Sequence, residues 1–217
     1  MKKHIIFDFD DTITSAYELN QQVFVDTLTP HKPDIDQDFL RKLHHEKKGT
    51  SMFLQFQEAI DKFGLKVPVE QLVKENEKLQ QKRALEVDVF DGVENLLKHF
   101  KKRGKLLSIC TNRERGSLKI ILQKHNLFRY LDNVVSCFDE GHEKPDPFCL
   151  IELTDKYTAI TKGETIYFGD SKTDAEFATN AGIDFIIIDH YLNKKLFYQM
   201  IIESFADSED TNPLERG

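Results

Sequence analysis

The sequence predicts an α/β protein whose core is a doubly wound, Rossmann-like parallel sheet carrying an inserted α-helical cap domain. Three observations carry that expectation. A β-branched and aromatic run at residues 4–9 ends in acids, and residues 16–86 repeat apolar side chains at three- and four-residue spacing with no strand among them. After Asp91-Gly92, short apolar runs alternate with amphipathic segments, as they do when parallel strands are covered on both faces by crossover helices.

Taken in order, His4-Ile5-Ile6-Phe7-Asp8-Phe9 reads as a buried strand running into a functional loop. The helical block follows in four stretches: Leu19, Val23 and Phe24; Phe39, Leu40 and Leu43; Phe53, Phe56, Ile60 and Phe63; Val69, Leu72, Val73 and Leu79. Pro and Gly break it at 29–33, 48–49 and 64–68. Then come helix 92–102, strand 105–111, helix 115–125, strand 133–137, helix 146–157, strand 165–168, helix 172–181 and strand 184–189. The expected organisation is therefore an α/β core of residues 1–14 and 88–203, a helical cap of residues 15–87, and a polar, acidic, frayed tail of residues 204–217.

Composition narrows the function. Thirty Lys plus Arg stand against 37 Asp plus Glu, a net charge of -7 with a pI near 5.6, so no global positive field gathers a polyanion. Nucleic acid is not expected as the main partner. Cys110, Cys137 and Cys149 suit neither a disulfide framework nor a paired zinc motif, and Cys110 reads as a small core hydrophobe. No apolar run reaches the ~18 residues of a membrane span. A soluble, cytoplasmic protein is expected, monomeric or weakly homo-oligomeric. Walker A, GxSxG and GxGxxG patterns are absent, which removes the commonest ATPase, serine-hydrolase and dinucleotide readings.

Chemistry in a doubly wound sheet collects at the carboxyl ends of its strands, and four sets of polar residues fall there. They are Asp8-Phe9-Asp10-Asp11-Thr12, Thr111-Asn112-Arg113, the loop with Lys144-Pro145-Asp146, and Gly169-Asp170-Ser171-Lys172-Thr173-Asp174. In an extended run, Asp8 and Asp10 leave the same face about 6 to 7 Å apart. Asp170 and Asp174 are one helical turn apart. Four carboxylates with one lysine leave an excess of negative charge, which a hard divalent cation with oxygen ligands, Mg²⁺ foremost, would compensate.

These segments, in this order, resemble the four motifs of the haloacid dehalogenase (HAD) superfamily of aspartyl-phosphate-forming phosphotransferases. A helical block between the first and second motifs resembles the subfamily with a C1-type cap, which includes phosphoglycolate phosphatases and β-phosphoglucomutases. The resemblance implies that Asp8 is the nucleophile and Asp10 the general acid and base. It implies that Thr111 and Lys144 stabilise the transferring phosphoryl group, with Asn112 as a second contact. It implies Mg²⁺ bound by Asp8, the Asp10 backbone carbonyl, Asp170 and Asp174, the last directly or through water. The partner so implied is a small phosphorylated metabolite. Asp at position 10 disfavours carbon–halogen chemistry, where no leaving alkoxide needs a proton.

The sequence also departs from the family. Asp11 stands where Gly is frequent and is given little weight; Ser15 stands where Asp is frequent, which removes an anchor at the cap hinge. Residues 46–51 resemble the basic-Gly loop that some C1 caps close over the site, where Lys48 could meet a substrate anion or hydroxyl. By itself Lys48 reads as a solvated lysine in a charged loop. His44, His45 and His142 read as solvated, and Phe53, Phe56 and Phe63 as helix-packing core. The expected activity is Mg²⁺-dependent hydrolysis of a small phosphomonoester through an aspartyl-phosphate. A phosphomutase and a catalytically silent binding module are the alternatives.

Overall fold

In β1 (His4–Phe7) all four residues are buried, and successive side chains enter opposite cores. Ile5 and Phe7 join one apolar cluster, Ile6 another. The structure, a computed structural model, describes residues 1–188 and 193–207.

The chain leaves β1 through β2 (Thr14–Ser15) into a helical insert of α1 (Tyr17–Leu28), α2 (Gln37–Glu46), α3 (Met52–Phe63) and α4 (Val69–Arg83). It returns through β3 (Asp88–Val89), which pairs antiparallel with β2. The core then alternates α5 (Val93–Lys102), β4 (Leu106–Thr111), α6 (Arg115–Lys124), β5 (Asn133–Ser136), α7 (Phe148–Asp155), β6 (Thr165–Gly169), α8 (Lys172–Ala181), β7 (Asp184–Ile187) and α9 (Lys194–Asp207). The five core strands are parallel in the order β5-β4-β1-β6-β7.

Three apolar clusters divide the molecule. Val93, Leu96 and Phe100 of α5, Leu118 and Ile121 of α6, and Tyr198 and Ile201 of α9 cover one sheet face. Cys149, Leu150 and Leu153 of α7 with Phe177 and Ala178 of α8 cover the other, where Cys110 is fully buried. The insert has a core of its own, in which Phe24, Leu28, Leu40, Leu43, Phe56 and Leu72 meet. A cap with its own apolar centre, joined to the sheet by a two-stranded ribbon, is a separate packing unit.

Two expectations need correction. The first strand stops at Phe7 rather than residue 9, because Asp11 takes a left-handed φ of 58° and the loop folds back, with Ile13 N–H on Phe9 O at 2.9 Å. The tail expected from residue 204 instead continues α9 through Asp207, and Phe205 packs edge-on against Phe100 with ring centroids 5.1 Å apart. The polar composition of the last residues hid that apolar contact. The rest of the expected tail, 208–217, and Asp189 of the expected last strand lie outside the described residues. Among the described residues no helix is long and apolar enough to cross a membrane.

His4 is buried at the start of β1, its Nε2 2.8 Å from Ser108 Oγ. Burial pushes its pKa down to about 4 from 6.5, against the Asp132 charge. Between those values the unfolded chain binds the proton and the folded chain does not. His4 therefore removes stability as pH falls from 6.5 towards about 4, by up to about 3 kcal/mol, and nothing further below that. Urea unfolding of wild type and His4→Gln across that window checks this: the variant should show a shallower loss of stability with acid.

Candidate active site

The strand order places β1 between β4 and β6, so successive connections leave it in opposite directions and open a crevice at the carboxyl edge. Phe7 is in register with Ile109 and with Phe168, which brings Asp8, Thr111 and Asp170 to that same edge. Asp8 N–H donates to Phe168 O at 2.7 Å and fixes the first carboxylate there.

Lys144 organises the floor. Its Nζ lies 2.7 Å from Asp8 Oδ1, 2.7 Å from Asp174 Oδ1 and 3.2 Å from the Tyr167 hydroxyl. Asp8, Lys144 and Asp174 are all buried. Burial pushes the Asp8 carboxyl up to about 8; Lys144 opposes this and the Asp174 and Asp170 charges reinforce it. Burial alone would lower Lys144, but Asp174 and Asp8 hold its ammonium well above the ordinary lysine value. An ordinary surface lysine is excluded.

Asp174 is held from both sides. Ser171 Oγ accepts from Asp174 N–H at 3.1 Å, and Asp174 Oδ2 accepts from Ser171 N–H at 3.1 Å, a reciprocal cap on α8. The carboxylate thus caps a helix with one oxygen and faces Lys144 with the other. Gly169 makes room for it, since a Cβ there would lie 2.5 Å from Asp174 Cβ.

Asp8, Asp170 and Asp174 each offer an oxygen within 4.8 Å of the others. With Asp11 beside them, four carboxylates face the ammonium groups of Lys48 and Lys144. An all-oxygen donor set with excess negative charge fits a hard divalent cation, with Asp8, Asp170 and Asp174 as its holders.

Asp10 departs from the extended-strand expectation. Because β1 ends at Phe7, its side chain is not carried alongside that of Asp8 into the Lys144 cluster. Arg113 Nε donates to both of its oxygens, at 2.8 and 3.0 Å, and Asn20 Nδ2 donates at 3.2 Å. A guanidinium, rather than the expected acidic neighbours, is its immediate partner. Thr111 is buried beside it, its Oγ1 accepting from Arg113 N–H at 3.2 Å. Asn112 braces loops: its Oδ1 accepts from Lys144 N–H at 2.8 Å, and its Nδ2 donates to Gly49 O at 3.2 Å.

Lys48 is not a solvated loop lysine. Its Nζ lies 2.6 Å from Asp170 Oδ2 and 3.0 Å from Asp11 Oδ2. Gly49 permits that approach with a φ of 79°, and a Cβ there would meet Ser171 Oγ at 2.8 Å. Ser51 Oγ donates to Glu143 Oε1 at 2.7 Å and adds a second tie between cap and core. His44 also differs from its expected solvated state: it is buried against Phe24 and bonded to Gln55 Oε1 at 2.9 Å, and burial lowers it to about 4. His45 and His142 are bonded near the surface, to the Tyr17 hydroxyl and Asp146. Of the cap phenylalanines Phe56 is fully buried, whereas Phe53 is exposed.

Three residues given no role in the sequence analysis belong to the site. Asp11 accepts from the N–H groups of Ala16 and Tyr17, at 3.2 and 2.9 Å, and so starts α1 while pairing with Lys48. Arg113 grips Asp10, and Tyr167 donates to Cys110 O at 2.9 Å under the Lys144 ammonium. Only Arg113 carried a signal, as a charge two residues past Thr111.

The profile of haloacid dehalogenase-like hydrolases matches residues 5–188. The chain belongs to that family. Among HAD-like relatives, a phosphoglycolate phosphatase of Cereibacter sphaeroides is 29% identical over 99 residues, covering 46% of this chain and 44% of that protein. The chain thus spans less than half the length of the phosphoglycolate phosphatases it matches. The (DL)-glycerol-3-phosphatase 1, mitochondrial, of Arabidopsis thaliana is 22% identical over 223 residues, covering 99% of this chain and 73% of that one. A crystal structure of a predicted phosphoglycolate phosphatase from Haemophilus somnus 129pt superposes with a TM-score of 0.76 at 15% identity, over 94% of this chain and 98% of that one, a likeness of fold.

Gly169→Ala should force Asp174 from its place. Overpacking of this kind costs about 1–3 kcal/mol, or roughly 2–10 °C in thermal midpoint for a chain of this size. Gly163→Ala, whose Cβ would meet nothing nearer than 3.9 Å, should shift the midpoint by less. Differential scanning calorimetry on the two variants checks the contrast.

Proposed function

We propose that this HAD-like chain is a Mg²⁺-dependent phosphatase that hydrolyses a small phosphomonoester through an aspartyl-phosphate on Asp8. The observation that carries the reading is a buried strand-end carboxylate held by Lys144, with Asp170 and Asp174 close enough to share a cation with it. The names of the phosphoglycolate and glycerol-3-phosphate phosphatase relatives support it.

Mg²⁺ held by Asp8, Asp170 and Asp174 supplies positive charge that lowers the repulsion between two anions. The protein's own groups do the rest. Asp8 attacks phosphorus and the ester P–O bond breaks; Asp10, which must first take up a proton from solvent and turn the protonated oxygen from Arg113 to the leaving group, gives that proton to the departing alkoxide. Asp10 then takes a proton from water as that water cleaves the acyl phosphate, which releases phosphate and restores Asp8. Lys144 and the Thr111 hydroxyl stabilise charge on the transferring group. Arg113 and Asn20 keep Asp10 beside the leaving oxygen, and Asn112 holds the Lys144 loop. Lys48 closes the cap over the site.

Asp8→Asn should retain the fold and lose at least about a thousandfold in turnover, since the covalent step has no substitute nucleophile. Phosphate release from p-nitrophenyl phosphate, with circular dichroism for the fold, measures this. Substantial residual turnover, or interconversion of a sugar phosphate without phosphate release, would overturn the reading.

Mg²⁺ at a hundredfold excess over its dissociation constant should raise the thermal midpoint by about 5–10 °C, because it binds only the folded chain. Asp170→Asn should abolish that rise. A rise that persists in Asp170→Asn would place the cation elsewhere, and a midpoint unmoved by Mg²⁺ in the wild type would remove the cation from the reading.

A further inference from the structure

The leaving group must lie beyond Asp10, beneath α1 and α4 of the cap, and the side chains lining that cavity have an unusual charge. Three cationic side chains line it, Lys48, Arg113 and Lys144, and each is engaged by carboxylates: Asp170 and Asp11, Asp10, and Asp8 and Asp174. Three further carboxylates line it, Glu77 on α4, Glu114 before α6 and Glu143 before Lys144. Burial raises Glu77, and the charges of Glu114 and Asp139 raise it further, which locates the two glutamates in one another's field. Glu143 is raised by burial as well, against its hydrogen bond from Ser51.

An anion on the leaving group would enter a space where lining carboxylates outnumber cations even with a divalent ion bound. The nearest cations are already paired, Lys48 with Asp170 and Asp11 and Arg113 with Asp10, so the anion would compete with those carboxylates for them. Around Asp10 the remaining polar groups are neutral and of mixed character: Asn20 uses its oxygen on Arg113 at 2.7 Å, Gln80 likewise at 3.2 Å, and the Ser117 hydroxyl accepts from Arg113 at 2.9 Å. The amide groups of Asn20 and Gln80 and the Glu77 carboxylate together match hydroxyls, which both donate and accept.

From this lining we infer that the substrate is the phosphomonoester of a small uncharged polyol, and that leaving groups bearing a carboxylate or a second phosphate are rejected. The inference rests on the phosphatase reading above and adds the substrate class. Rejection here comes from the unfavourable element in the pocket as much as from contacts with the preferred substrate.

The test is a comparison of kcat/KM, with Mg²⁺ present, for glycerol 3-phosphate, 2-phosphoglycolate, O-phosphoethanolamine and p-nitrophenyl phosphate. Glycerol 3-phosphate should exceed 2-phosphoglycolate by about tenfold or more. In Glu77→Lys that ratio should fall by about tenfold, and Glu77→Gln should move it part of the way. Each ratio is internal to one enzyme, so a general loss of activity leaves it readable. If 2-phosphoglycolate is turned over as well as glycerol 3-phosphate by the wild type, the inference fails while the phosphatase reading stands. Preference for O-phosphoethanolamine would overturn the uncharged class in favour of a cationic one. No turnover of any of the four, the aryl phosphate included, would remove the phosphatase reading itself.

Discussion

The Lys144 ammonium sits 2.7 Å from Asp8 and 2.7 Å from Asp174, almost out of reach of water. Removing an ammonium of this kind from water costs several kcal/mol unless carboxylates face it, and the carboxylates in turn need it. The fold supplies that mutual requirement from three separate segments: the end of β1, the loop after β5 and the first turn of α8. Removing any one of the three would leave a buried charge of the others without its partner. The Tyr167 hydroxyl below and the Ser171 cap beside Asp174 satisfy remaining polar atoms, so the group is fixed in position before any ligand arrives.

A second consequence concerns the cap. Its helices bury their apolar faces against one another, so what joins it to the sheet at the site is polar: Lys48 to Asp11 and Asp170, Ser51 to Glu143, and Asn112 to Gly49 O. The Ser51 and Asn112 contacts can be exchanged for water at small net cost, whereas separating Lys48 from Asp11 and Asp170 leaves two nearly buried carboxylates that need another partner. The β2–β3 ribbon is the covalent connection across which such an exchange would swing the cap. Arg113 spans the same boundary, bonded to Asp10 of the core and to Asn20 and Gln80 of the cap. One guanidinium thereby ties the Asp10 carboxylate to α1 and α4 of the cap.

What the sequence revealed and what it hid divide along a physical line. Residues whose place follows from topology were legible: a strand end in a doubly wound sheet has one destination, so Asp8, Thr111 and Asp170 could be brought to one edge by periodicity alone. Residues whose place follows from long-range pairing were not. Lys48 and Asp170 are 122 positions apart; the basic-Gly loop pointed Lys48 towards the site, but nothing in it named Asp170 and Asp11 as its partners. Asp11 is defined by a left-handed backbone and by Lys48, Arg113 by Asp10, and Tyr167 by Lys144. Strand length was misjudged at β1 for the same reason, because the alternation of residues 4–9 continues through Phe9 while the hydrogen bonds do not. α9 escaped because its anchor, Phe205, lies in an acidic stretch.

The same negative charge serves two ends that constrain each other. Asp8, Asp170 and Asp174 must be acidic to share a cation, and that raises the energy of the apo fold through their repulsion, the kind of stability sacrificed at functional sites. Glu77, Glu114 and Glu143 line the same cavity outside the three-carboxylate group; Glu114 caps α6 through Gly116 and Ser117, Glu143 takes the Ser51 hydrogen bond, and Glu77 has neither role. On the proposed reading, all three make the leaving-group space less hospitable to an anion. On the proposed function, a cavity that accepted the phosphoryl dianion on its floor and repelled charge beneath its roof would read the two halves of one ester differently, and the division between the halves would fall at Asp10, where the bond to the leaving oxygen would break.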